Sequence, residues 1–289
     1  MLSKTWSQSI SEVSLVRFFS KKEQERIEKI KTKLKKYDII KIMKRILIKL
    51  QYDGTNYKGF QIQGNSSDTI QGEIEKALKK LFKKEVSIFG CSRTDSGVSA
   101  YEYYAHFDIE TKIEPQKISY AINSFLPEDI RVLESKQVKD DFNARYNVKN
   151  KTYVYSLYAS EHIMPLIDRY SVRLKKFPNT VLMQKASKKL IGTYDFGGFR
   201  SSDPSRENQN TVRKINSIKF QVIDNMLNIY INGDGFLYNM VRIIVGTLIE
   251  IGEGKKSIEV IDDILKTRDR SLAGVTMPAK GLRLYEVKY

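Results

Sequence analysis

Asp95 stands in the run Ser92-Arg93-Thr94-Asp95-Ser96-Gly97-Val98, directly after the strand-like stretch Val86-Ser87-Ile88-Phe89. A short apolar strand that delivers an Arg, an Asp and a Gly within five residues can present one carboxylate at a cleft. Such a group attacks a carbon centre or takes up a proton. Gly97 accepts the positive φ that a tight turn often needs, and Thr94 and Ser96 can bond nearby backbone. Taken alone, the segment reads also as a hairpin turn carrying a surface ion pair.

Arg242 is the second chemical signal. From Gly235 to Ile249 it is the only charged residue, inside Met240-Val241-Arg242-Ile243-Ile244-Val245-Gly246. A helix that is apolar on nearly all faces is buried, and a buried guanidinium needs an anionic partner. Asp95 is the candidate, and the pairing would keep its carboxylate ionised. The other reading is that Arg242 snorkels to the surface. The third signal is Ala144-Arg145-Tyr146 followed by Lys151-Thr152-Tyr153-Val154-Tyr155. Tyrosines two apart on a strand share a face, and flat rings in a basic cleft stack on bases. Pairs of this kind also serve as ordinary core packing.

Composition narrows the chemistry. The 289 residues contain one cysteine, Cys91, and two histidines, His106 and His162. A disulfide framework, a cysteine-rich zinc site and His-based triads are thereby disfavoured. No apolar run reaches membrane-spanning length without a charge. The net charge is +16, of which residues 1–44 carry +7 and the rest +9. A basic globular body suits a polyanion such as nucleic acid, although a Lys-rich proteome would give the same balance.

The elements that must position these residues read as follows. Residues 1–20 are poor in acids and contain Val16-Arg17-Phe18-Phe19-Ser20, which resembles a mitochondrial presequence cleavage site; a basic tail fits equally. Cytoplasmic and mitochondrial locations both stay open. Residues 21–44 read as a Lys/Glu helix with a thin stripe of Ile27, Ile30 and Leu34. The body then divides into a half at 45–150 carrying Asp95 and a half at 151–289. Strands are expected at 45–52, 86–91, 101–109, 130–138, 152–157, 215–222, 227–232 and 282–288. Helices are expected at 70–82 with Thr69 as N-cap, 115–125, 179–191, 236–251 and 257–266. Helices and strands mix without regular strand-helix repeats, so the fold class is α+β, with largely antiparallel sheets flanked by helices and a cleft between the halves.

Together the segments resemble the TruA-type tRNA pseudouridine synthase family over roughly residues 45–289. The resemblance runs through Tyr52-Asp53-Gly54-Thr55-Asn56-Tyr57-Lys58-Gly59-Phe60-Gln61, Thr69-Ile70-Gln71-Gly72-Glu73 and Arg93-Thr94-Asp95-Ser96-Gly97-Val98. It continues through Phe142-Asn143-Ala144-Arg145-Tyr146, Lys151-Thr152-Tyr153, Asp195-Phe196-Gly197-Gly198-Phe199, Met240-Val241-Arg242, Val245-Gly246 and Gly281-Leu282-Arg283-Leu284. It implies the pseudouridine synthase fold and isomerisation of uridine in the tRNA anticodon stem-loop, by a homodimer, with no cofactor and no metal. Asp95 matches the nucleophilic aspartate, Tyr153 the tyrosine that packs on the base and is a candidate general base, and Arg242 the basic partner of the aspartate. Arg93 matches the arginine that helps extrude the nucleotide. Tyr155 and Arg145 are further candidates for substrate contact, and Leu282 or Leu284 for the apolar shell. The family commonly has Gly at Ser92, Ala at Ser96 and His at Ser99, which puts the turn geometry in question. A related synthase with broader RNA targets and a non-catalytic tRNA-binding protein are the alternatives. A metal-dependent nuclease built on Asp262-Asp263 or Asp140-Asp141 is more remote.

Overall fold

The computed structural model describes residues 21–23, 25, 26, 28, 29, 43–64, 68–202 and 209–289. The chain divides between Met43 and Lys44. In the extension the described residues of 21–29 are helical and exposed, and Met43 is exposed coil. The expected presequence and the stripe of Ile27, Ile30 and Leu34 lie outside the described residues.

The body begins with strand β1 (Lys44–Tyr52), whose Ile46, Ile48 and Leu50 are fully buried and anchor the core. Helix α1 (Ile70–Phe82) follows, with Thr69 accepting the Gly72 N–H at 3.1 Å as its N-cap. Its buried Ile70, Ile74, Ala77 and Leu78 recur at helical spacing and give it one apolar face. Next come β2 (Phe89–Gly90), β3 (Ser99–Ile109), α2 (Ile118–Asn123) and β4 (Ile130–Val138). The second half supplies β5 (Asn150–Ala159), α3 (Pro165–Asp168), β6 (Val172–Leu174), α4 (Thr180–Lys188) and β7 (Gly192–Asp195). It closes with β8 (Val212–Ile223), β9 (Met226–Gly233), α5 (Met240–Gly252), α6 (Val260–Thr267) and β10 (Leu282–Lys288).

Both halves are α+β, and their strands join one continuous sheet in the order β4-β1-β3-β10-β5-β9-β8-β7, with β2 beside β3 and β6 beside β5. Most pairings are antiparallel; β10–β3 and β5–β6 are parallel. The last strand therefore lies at the seam, where Leu284 is paired with Ala100 on one side and Tyr153 on the other. That register sets the loop before β3 next to β5.

The short elements α3, β6 and β7 were not expected from the sequence, and two of the expected elements are shortened, each for a local reason. The strand expected at 86–91 pairs only at Phe89–Gly90. Helix α1 takes up the backbone of Ile88 instead: Glu75 accepts its N–H at 3.0 Å and the Gln71 amide donates to its carbonyl. The helix expected from 236 begins at Met240, because Asn239 holds a left-handed backbone (φ 59°). Residues 235–239 are thus free of the helix and line a cavity.

Candidate active site

The loop between β2 and β3 is held from beneath by buried tyrosines. Tyr52 on β1 bonds the Thr94 hydroxyl at 2.9 Å, and the Tyr103 hydroxyl of β3 donates to the Ser92 carbonyl. From above, the Phe60 N–H donates to the Thr94 carbonyl at 3.2 Å and the Gly97 N–H to the Tyr57 carbonyl at 3.2 Å. Gly97 takes the expected positive φ, 77°. Gly59 is a second such position: its φ is 87°, and a Cβ there would fall 2.4 Å from the Thr94 carbonyl oxygen. The segment Tyr52–Phe60 is a clamp on the loop that carries Asp95.

Asp95 lies in the wall of a cavity of about 550 Å³ between the two halves. Arg93, Arg145, Lys151 and Arg213 also line it, so among the described residues four cations and one carboxylate share its wall. Arg242, in the first turn of α5, brings its Nη1 to 3.8 Å from Asp95 Oδ2. Its own position is set by Nε donating to the Met277 carbonyl at 2.5 Å and Nη1 donating to Asn239 Oδ1 at 2.6 Å. The guanidinium is mostly buried, so the alternative of an arginine reaching to open solvent does not describe it.

Tyr153 on β5 lines the same cavity, its ring edge-on to Phe236 with centroids 5.2 Å apart. Its hydroxyl lies 3.2 Å from Ser92 Oγ. Burial pushes that hydroxyl well above the usual tyrosine pKa, with Ser92 pulling slightly the other way. Lys151, two residues earlier, is pushed below the usual lysine range, chiefly by burial, with Arg145 and Arg213 adding repulsion. Cys91 also touches the cavity, but burial lifts its thiol to about 11, so it packs rather than attacks. Among the described residues no three His, Cys, Asp or Glu side chains come together as a metal site, and Asp262 is paired with Lys189 at 2.5 Å.

Residues 49–147 and 186–289 match a family model described as tRNA pseudouridine synthase. The chain belongs to the tRNA pseudouridine synthase family. Individual relatives are similar over most of its length. A protein named tRNA pseudouridine synthase A from Thermoanaerobacter sp. is 43% identical over 247 residues, covering 86% of this chain and 100% of its own. The proteins of the same name from Ruminiclostridium cellulolyticum and Acetivibrio thermocellus are 44% and 42% identical, each with 86% of this chain and 100% of the relative covered.

Against that family background, the structure sorts the residues singled out in the sequence. Asp95, Arg93, Arg145, Tyr153 and Leu282 line the cavity, and Arg242 stands behind Asp95. Two candidates for substrate contact are corrected. Tyr155 shares the face of Tyr153, but it is fully buried and its hydroxyl donates to the Pro278 carbonyl at 2.7 Å. The segment before β10 covers it and removes it from the cavity. Leu284 is likewise fully buried between its strand neighbours Ala100 and Tyr153, leaving Leu282 as the apolar wall. Lys151, Arg213, Phe236 and Asn239 belong to the cavity and were not singled out. Lys151 was legible in Lys151-Thr152-Tyr153, where a two-residue spacing puts it on the face of Tyr153. Nothing local marks Arg213.

Proposed function

We propose that this cavity isomerises uridine to pseudouridine in the anticodon stem-loop of tRNA, with Asp95 as the reacting carboxylate. The observation that carries the reading is the single carboxylate beside Arg242 in a cationic cavity that Tyr153 also lines. The reaction breaks the N1–C1′ bond, turns the uracil and forms a C5–C1′ bond, and only the C5 proton leaves. Asp95 bonds the substrate covalently or takes a proton while the base is detached, and the cationic partner favours its ionised form. Tyr153 packs on the base and removes the C5 proton late. Burial keeps the phenol neutral, so as its oxygen takes the C5 proton its own proton passes to Ser92 Oγ, which hands its hydroxyl proton on to solvent. Arg93 fills the space left by the uridine as it leaves its stack. Arg145, Lys151 and Arg213 hold phosphates. The anticodon stem-loop and the homodimer rest on the resemblance to TruA-type enzymes.

The test is release of tritium from tRNA labelled at uracil C5, with Asp95→Asn as the control. Release by the unaltered protein alone supports the isomerase and its carboxylate together. No release from either, with tRNA still bound, would make this a tRNA-binding protein on a synthase fold.

A further inference from the structure

Beside the reaction cavity lies a second one of about 540 Å³, within the size range of ordinary ligand pockets. The two share Ser92, Arg93 and Arg145, so they adjoin along these three residues. The outer walls of the second cavity are two aromatic residues left in solvent. Phe89 is 57% exposed and Tyr146 79% exposed. Two exposed rings at the mouth of one cationic cavity are faces waiting for a flat apolar partner.

The walls are built, not incidental. The Phe89 ring stacks on the buried His106 imidazole, centroids 5.3 Å apart at 24°. Nδ1 of that same imidazole accepts the Ala144 N–H at 3.2 Å. One buried histidine therefore ties the strand bearing Phe89 to the turn bearing Tyr146. Within that turn Asn143 Oδ1 accepts the N–H groups of Arg145 and Tyr146 at 2.9 and 3.2 Å, which fixes the backbone from which both exposed side chains leave. The Arg145 guanidinium lies 5.8 Å from the Tyr146 ring centre, adding a cation next to the aromatic face.

We propose that this second cavity receives the nucleobase adjacent to the reacting uridine, stacked on Phe89 and Tyr146. The proposal rests on the isomerase reading above. When a uridine leaves its stack, the bases on its two sides each lose a stacking partner; Arg93 fills the gap against one, and an aromatic side chain takes the other. Continuity decides the occupant: a nucleotide chain with its uridine in the first cavity passes Arg93 and Arg145 before anything else. Two polar groups of the wall are committed inside the protein. The Gln71 amide bonds Glu75 and its carbonyl accepts from Ile62, and Asn143 holds its own turn. The cavity thus offers a base two aromatic faces and offers its phosphate the charges of Arg93 and Arg145.

The experiment uses the full chain and tRNA transcripts carrying one 4-thiouridine at each anticodon-loop position in turn, irradiated and mapped by peptide mass spectrometry. The same tRNA, tritiated at uracil C5, is assayed for release. The expected result is a crosslink to Phe89 or Tyr146 from a position directly flanking the uridine that isomerises. Tritium release with every crosslink outside residues 87–90 and 143–146 overturns the proposal. Crosslinks there without tritium release would sink the isomerase reading and leave a base-binding cavity standing. Phe89→Ala and Tyr146→Ala, both at exposed positions, should each raise KM roughly tenfold with kcat within about twofold. An unchanged KM in the double variant overturns the assignment as well.

Discussion

The Arg242 guanidinium stands 3.8 Å from the Asp95 carboxylate while its two short hydrogen bonds go to Met277 and Asn239. The cation is therefore positioned by its own helix start and by the segment ahead of β10, independently of the carboxylate it faces. Asp95 meets a fixed positive charge before substrate arrives, so ionising it requires no rearrangement.

Arg242→Met leaves a carboxylate facing an apolar side chain. Two unit charges at this distance in partly buried surroundings interact by about 4 kcal/mol. Turnover should fall at least about a hundredfold while tRNA affinity stays within about threefold. A variant that releases tritium at the normal rate would remove the charge pair from the mechanism.

Tyr153→Phe keeps the ring against Phe236 and loses only the hydroxyl facing Ser92. Stability should change by no more than about 1 kcal/mol. Tritium release should drop by roughly 10²–10⁴, the range of a lost general base. Normal turnover with normal tRNA binding would exclude the hydroxyl from proton transfer.

Gly59→Ala tests the clamp. The new Cβ would meet the Thr94 carbonyl oxygen at 2.4 Å and the backbone would hold an alanine at φ 87°. A cost on the order of 1–3 kcal/mol is expected, seen as a lower urea midpoint. Because the strain falls next to Asp95, kcat should fall more than KM rises. Unchanged kcat and KM would show that the loop position does not depend on the clamp.

Asp53 links the Tyr52–Phe60 clamp to the second half. Its carboxylate accepts from Thr55, from Arg169 at 2.6 and 2.9 Å and from Tyr170 at 3.0 Å. Burial opposes its ionisation, but those bonds outweigh it and hold its pKa below the ordinary 3.8. The unfolded chain therefore binds the proton first as pH falls. The stabilisation is complete above the unfolded value near 4 and is lost as pH drops through the folded one. Asp53→Asn should cost about 1 kcal/mol at pH 7, since Arg169 is half exposed and screened. The difference from the unaltered protein in urea melts should vanish toward pH 2.

The element pattern was largely legible. The strand at Ile130–Val138 and the last strand at Leu282–Lys288 carry the expected bounds, and Thr69 caps its helix as its type and place suggested. The misses share a cause. Val86 and Ile88 alternate like a strand, yet side chains of α1 satisfied the backbone that a neighbouring strand would have paired. The periodicity of 236–239 continues a helix, yet Asn239 turns left-handed and its amide serves Ser201 and Arg242.

By itself the sequence determined what depends on near neighbours in the chain: the turn around Asp95, the apolar helix with its one arginine, and the caps and amphipathic faces. Those follow from side-chain type and from spacings of two, three and four residues. It also carried the ordered motifs that mark the family. Only the tertiary structure decided which of Tyr153 and Tyr155 meets the cavity, which of Leu282 and Leu284 does, and that Lys151 and Arg213 line the cavity that holds Asp95. The reason is the insertion of β10 between β3 and β5. A segment more than 120 residues downstream of Tyr155 supplies the carbonyl that covers it, and no local pattern encodes a contact at that separation.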